Sequence, residues 1–104
     1  MIELNLQQLP KQSFSAVLEN TLYELAIIEC AGIMAANISR AGTVLVSGAR
    51  IVAGQLILPL DKEGGLGNFM ILTDSGDLPW WESFGTTQTL IYASAAELAA
   101  VRNG

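Results

Sequence analysis

Apolar and polar positions alternate with a period of two along most of the chain, the spacing of strands rather than helices. Ile2, Leu4 and Leu6 fall on one side of an opening strand, with Glu3 and Asn5 on the other. Pro10 lacks an amide donor and restrains the residue before it, so Gln7 to Gln12 is expected to bend or to run along a sheet edge. Phe14, Ala16 and Leu18 then share one face of a second strand, opposite Ser13, Ser15 and Val17, and Glu19-Asn20 has the makeup of a turn. From Thr21 to Cys30, Tyr23, Leu25 and Ile27 lie on one face and Leu22, Glu24, Ala26 and Ile28 on the other, a strand partly buried on both sides. Helix competes there because Leu, Ala and Glu favour it, but no cap precedes the run and the Ala31-Gly32 break suits a hairpin. Ile33 to Arg40 returns as the next strand of a meander.

The stretch from Ser39 to Leu60 is the frame of the chain. Val44, Val46, Ile51, Val52, Ile57 and Leu58 suit a pleated, packed surface, and Gly42, Gly48 and Gly54 allow turns or bulges between them. Pro59 ends this run, and Asp61 to Asn68 (DKEGGLGN) concentrates charge and glycine, which predicts an exposed, mobile loop at a tip of the domain. Phe69 to Thr73 is a short apolar strand, Asp74-Ser75-Gly76-Asp77 a tight turn, and Thr87 to Ala93 a closing strand. Ser94 and Glu97 have capping-box spacing, so a short helix should follow, with Arg102 at its negative end and Asn103-Gly104 ending it. The pattern as a whole predicts a mostly β fold: a small antiparallel β-sandwich or partly open barrel of about seven or eight short strands with a short C-terminal helix.

At 104 residues the chain is long enough for one core, a single domain over residues 1–104. Composition changes the picture of its surface. Hydrophobic residues make up 51% and charged residues only 14%, against about 25% charged in ordinary soluble domains. Some apolar side chains must therefore stay outside the core, which favours patches covered by partner proteins. The net charge of −5, with Lys11, Arg40, Arg50, Lys62 and Arg102 scattered singly, disfavours a nucleic-acid partner.

Candidate chemistry is sparse. With Cys30 alone and no histidine, an intramolecular disulfide and a Cys/His zinc site are both excluded, which fits a reducing compartment. Cys30 sits in an apolar run without a neighbouring cation and reads as a small buried hydrophobe. Glu3 breaks any basic signal pattern at the N-terminus, and no run approaches the roughly 20 apolar residues of a spanning helix, so synthesis in a cytoplasm and no membrane partner are expected. Gly64-Gly65-Leu66-Gly67 lacks the following helix that a phosphate loop needs, and Asp74 and Asp77 lack the oxygen spacing of a calcium loop. Ser47, Ser75 and Ser94 have no base in a recognisable motif, whether Lys11, Lys62 or a carboxylate. The expectation is no enzyme, no cofactor and no metal. Trp80 and Trp81 after Pro79 are the most informative aromatics: on an extended chain one would cover the core while the other faces outward as an anchor.

A longer pattern carries a resemblance. Gln12-Ser13-Phe14, Leu18-Glu19-Asn20 and Tyr23 are followed by Gly42 and by Val46-Ser47-Gly48-Ala49-Arg50-Ile51-Val52-Ala53-Gly54. Gly67-Asn68-Phe69, Asp77-Leu78-Pro79, Phe84-Gly85 and Leu90-Ile91-Tyr92 complete it. Over most of the chain this resembles a family of small baseplate plug proteins of contractile-tailed bacteriophages, related to the cyanophage baseplate plug. The resemblance implies a virion structural protein in the tail baseplate, made in a bacterial host cytoplasm and packed against hub, spike and tail-tube proteins, with copies of itself as further neighbours. It carries over no catalytic residues. Trp80, Trp81 and, from the glycine-rich segment, Asp61, Lys62, Glu63, Leu66 and Asn68 are the nominated contact residues. A non-catalytic binding module outside the virion, pairing through a sheet edge, is the alternative.

Overall fold

In the computed structural model, which describes residues 1–103, the alternation expected from sequence resolves into strands β1 (Ile2–Leu4), β2 (Lys11–Leu18), β3 (Thr21–Cys30), β4 (Ile33–Arg40) and β5 (Thr43–Arg50). After a connection come helix α1 (Leu60–Glu63), β6 (Asn68–Thr73), β7 (Gln88–Ala93) and helix α2 (Ala95–Asn103). Gly104, expected to help end the last helix, lies outside the described residues. β2, β3, β4 and β5 form one antiparallel meander, and β1, β7 and β6 form a second antiparallel sheet in that order. The two sheets share no strand, so the fold is a small β-sandwich and not a barrel.

Three two-residue turns drive the meander. Glu19-Asn20 (φ 51 and 61), Ala31-Gly32 (52 and 83) and Ala41-Gly42 (50 and 84) are left-handed at both positions, the turn whose twist matches antiparallel strands. Tight turns fix the register. Tyr23, Leu25 and Ile27 of β3 therefore stand beside Ile38 and Ala36 of β4 on the inner face, and all are buried. Phe69 and Ile71 of β6 and Leu90 and Tyr92 of β7 meet them from the other sheet. At the centre the rings of Tyr23, Phe69 and Tyr92 lie 5.2–5.7 Å apart in edge-on and tilted arrangements, geometries that favour aromatic quadrupoles.

Four expectations are corrected here or below. Residues 51–59 are not strand: β5 ends at Arg50, and the chain crosses to the other sheet, burying Ile51, Ile57 and Leu58 as it goes. Along that path Gly54 and Ile57 donate amides to Ile71 and Phe69 carbonyls at 3.0 and 2.8 Å, covering the outer edge of β6. Residues 61–68 are not an open loop either, because they begin as one helical turn whose end is buried, with Glu63 and Asn68 inside. Cys30 is exposed rather than buried, since it is the last residue of β3 and sits at a hairpin.

The capping box forms as expected. The Ser94 amide donates to Glu97 Oε1 at 3.0 Å, and the Glu97 amide donates to Ser94 Oγ at 3.2 Å. α2 then runs beside the outer face of the second sheet, where Leu98, Leu56, Met70 and Ile91 line an apolar groove. No helix of the described residues is long and apolar enough to cross a membrane.

Candidate protein-contact surfaces

The tryptophan corner is built from a break in the strand pattern. After β6, Ser75 takes a left-handed φ of 59° and the Asp77 amide donates to the Asp74 carbonyl at 3.4 Å, so the chain turns back on itself. Pro79 is buried while Leu78 is 64% exposed. Leu78 and Pro79 rest beside Ile33, Met34 and Ile51, at the β3–β4 end of the sandwich. A single buried amide holds this corner: Gln88 accepts the Trp80 amide on Oε1 at 2.7 Å and donates through Nε2 to the Leu78 carbonyl at 2.9 Å. Both ends of the Gln88 side chain are thus satisfied, as burial requires.

Trp80 and Trp81 do not divide their roles as alternation would have it. Trp81 opens a turn of 3₁₀ helix (Trp81–Ser83), so the two side chains no longer point to opposite sides. Both are half-buried against the core, with ring centroids 6.2 Å apart and planes tilted by 41°. The Trp80 indole N–H donates to Glu82 Oε1 at 3.0 Å. Each ring leaves part of its surface to solvent.

The glycine-rich segment is anchored by charge. Gly64 takes the left-handed conformation (φ 61°) that ends α1, and Arg40 donates to the Lys62 and Glu63 carbonyls at 3.2 and 2.9 Å, satisfying helix-end acceptors. Arg40 also lies over the Tyr23 ring, 5.3 Å from its centroid. Glu63 turns inward to a two-pronged pair with Arg102 of α2 and accepts a hydrogen bond from Asn68 Nδ2. The hydrogen bonds from Arg102 hold the Glu63 carboxyl below the usual carboxylate range, against burial that pushes it up. Asn68 closes the segment: its Oδ1 accepts the Leu58 and Phe69 amides at 2.9 and 2.7 Å, and its Nδ2 donates to the Leu58 carbonyl at 2.8 Å. Glu63 and Asn68 are committed inside the protomer, whereas Asp61 and Lys62 are exposed and Leu66 is half-buried.

These two regions do not form one patch. Gln88, which holds the tryptophan corner, begins β7, and Asn68 pairs with Ala93 at its other end. Five residue steps of strand, about 17 Å, separate them. Sequence reasoning missed Gln88 and Arg40 as supports, since nothing local marks a glutamine or an arginine for a partner far along the chain. Among the described residues no group of three or more His, Cys, Asp or Glu side chains is placed to hold a metal ion.

The sequence of this sandwich matches a known family. A family model described as "Cyanophage baseplate Pam3 plug gp18" matches residues 1–95, which take in all seven strands. No curated protein matches the chain.

Proposed function

The chain belongs to the family of the cyanophage baseplate plug, and from that premise we propose that it is packed at the centre of a contractile tail baseplate, against hub, spike and tail-tube proteins, as a plug of the channel. Membership itself supports a structural role in the baseplate, association with other baseplate components, a place in the virion tail, and a protein that is not an enzyme. The family match over residues 1–95 carries the reading, because it spans the whole sandwich rather than one motif.

The position of the exposed apolar groups supports the finer part. A plug has neighbours on more than one side, and the tryptophan corner and the α1 segment lie at opposite ends of β7. Trp80 and Trp81, with Leu78 beside them, are the contact residues at one end; Asp61, Lys62 and Leu66 are those at the other. Half-buried tryptophans held rigidly by the fold lose little entropy on contact, which suits them as anchors. Glu63 and Asn68 act from within, by fixing the shape of the second surface.

Mass spectrometry of gradient-purified tails from the source phage tests the reading through the tryptic peptide from Ile51 to Lys62. Recovery in fixed proportion to other baseplate proteins is the expected result. Its absence from intact tails would overturn the assignment in favour of a binding module outside the virion.

A further inference from the structure

The outer face of the four-stranded sheet carries exposed apolar side chains among its polar ones, where the solvent side of a one-sided antiparallel sheet ordinarily reads polar. Directly paired residues share a face, so the outward rows can be read from the register. One row is Lys11, Ile28, Ala35 and Arg50. Two rows further along the same face come Ser15, Glu24, Ser39 and Val44, and beyond them the pair Val17 and Leu22. Val17 is 70%, Leu22 45% and Val44 65% exposed, so the protomer leaves much of each open to solvent. Between the two charged rows lie Ser13, Ala26 and Asn37; the first two are small, and the Asn37 side chain is engaged by the Gly48 amide, so the middle of the face is shallow over β2 and β3.

We propose that this face packs against the same face of a second copy, about a two-fold axis that runs across the strands. The charge pattern selects that partner and that axis. Rotation about an axis across the strands lays the row with Lys11 and Arg50 over the partner's row with Glu24, and the same contact repeats by symmetry. Lys11 then stands one strand, about 4.8 Å sideways, from the opposing Glu24, within reach across sheets packed about 10 Å apart. An axis along the strands would instead set Lys11 over Arg50, a like-charge contact that disfavours it. The first arrangement also brings Val44 of each copy beneath the aliphatic stem of Arg50 of the other.

Four strands of about eight residues present a face on the order of 500 Å² per copy. That lies at the low end of specific interfaces, so the dimer is a weak one, populated at roughly micromolar and higher concentration. This contact is separate from the two ends assigned to other baseplate proteins, and its test uses the isolated chain.

Sedimentation velocity from about 1 μM to about 1 mM is expected to show a monomer passing to a dimer. Glu24→Lys should weaken the dimer roughly ten-fold or more by placing cation against cation, and the double reversal Lys11→Glu with Glu24→Lys should restore it. Both positions are exposed, and far-UV circular dichroism checks that the variants fold. A chain that stays monomeric over the whole range overturns the proposal. So does a dimer that Glu24→Lys leaves intact, or one that the double reversal fails to restore.

Discussion

Glu63 and Arg102, 39 residues apart in the chain, meet in a two-pronged ion pair in which Nη1 donates to Oε1 and Nη2 to Oε2, each at 2.8 Å. The pair joins the end of α1 to the last turn of α2. It is asymmetric, since the Glu63 side chain is 5% exposed and that of Arg102 41%. α2 is also held by Leu98, its cap, the Ala95 amide on Glu19 and the N-terminal ammonium on Glu97, all in its first half, while Val101 projects into solvent. A helix of nine residues is too short to persist without such support.

The stability of the protein should therefore depend on pH through Glu63. Its folded carboxyl is held below the usual range, first by the hydrogen bonds from Arg102, so the unfolded chain takes up a proton at a pH where the folded chain does not. The stabilisation is fully present above the ordinary carboxylate range, about 4.3, and is lost as pH falls from there through the lower folded value. Urea midpoints of the wild type and Glu63→Gln, compared from neutral pH downward, should converge in acid. Equal pH dependence in the two proteins would remove Glu63 as the cause. Arg102→Ala should in addition speed amide exchange in α2 at neutral pH while the sheets stay protected.

Gly67 is expected to tolerate no side chain. A Cβ there would stand 2.3 Å from the Tyr92 Cζ and hydroxyl oxygen and from the Ala93 carbonyl oxygen. Tyr92 cannot give way, because its ring is packed against Tyr23 and Phe69 and its hydroxyl donates to Glu19 at 2.6 Å. Gly67→Ala should cost about 3 kcal/mol, as overpacking of a rigid core does. A thermal melt within error of wild type would show that the β6–β7 contact can open.

The hairpins offer the opposite change. Ala31 and Ala41 sit at φ 52° and 50°, where an L side chain is strained and asparagine is better tolerated. Each is followed by a glycine already suited to the second position. Ala31→Asn and Ala41→Asn together should stabilise the domain by about 1 kcal/mol, visible as a rise in melting temperature of roughly 4–8 °C. No rise would mean that the alanines carry little strain in these turns.

What the sequence made legible follows from how locally each feature is encoded. Tyr23, Leu25 and Ile27 show their common face by spacing alone, and Ser94 and Glu97 need only each other to form a cap. Ile51 to Leu58 carries the same β-branched residues, but strand also requires a neighbour in register, and its amides reach β6 backbone carbonyls only at Gly54 and Ile57, while the Leu58 amide goes to the Asn68 side chain. The glycine-rich segment read as open because its anchors, Arg40 and Arg102, lie 23 and 39 residues from Glu63. Cys30 read as buried because its neighbours are apolar, yet the hairpin that follows sets it at the rim. The phage-tail reading was legible in the order of structural residues along the chain, and the family match bears out that resemblance.

The tryptophan corner separates two effects that a simple deletion would confuse. Trp80 and Trp81 both pack on the core, so truncating either should destabilise the domain, by about 1–2 kcal/mol given that each is only half-buried. A contact role predicts something further. Ile71→Val, a fully buried change at a site away from the corner, should cost a similar 0.5–1.5 kcal/mol or so without touching any outward surface. If the exposed parts of the indoles anchor a neighbour, Trp80→Ala and Trp81→Ala should enter tails far less well than Ile71→Val when urea midpoints are matched. Quantitative mass spectrometry of tails assembled with each variant reads the difference. Equal incorporation of all three would make the tryptophans core residues alone, and would leave Leu78 as the exposed apolar group at that end of the sandwich.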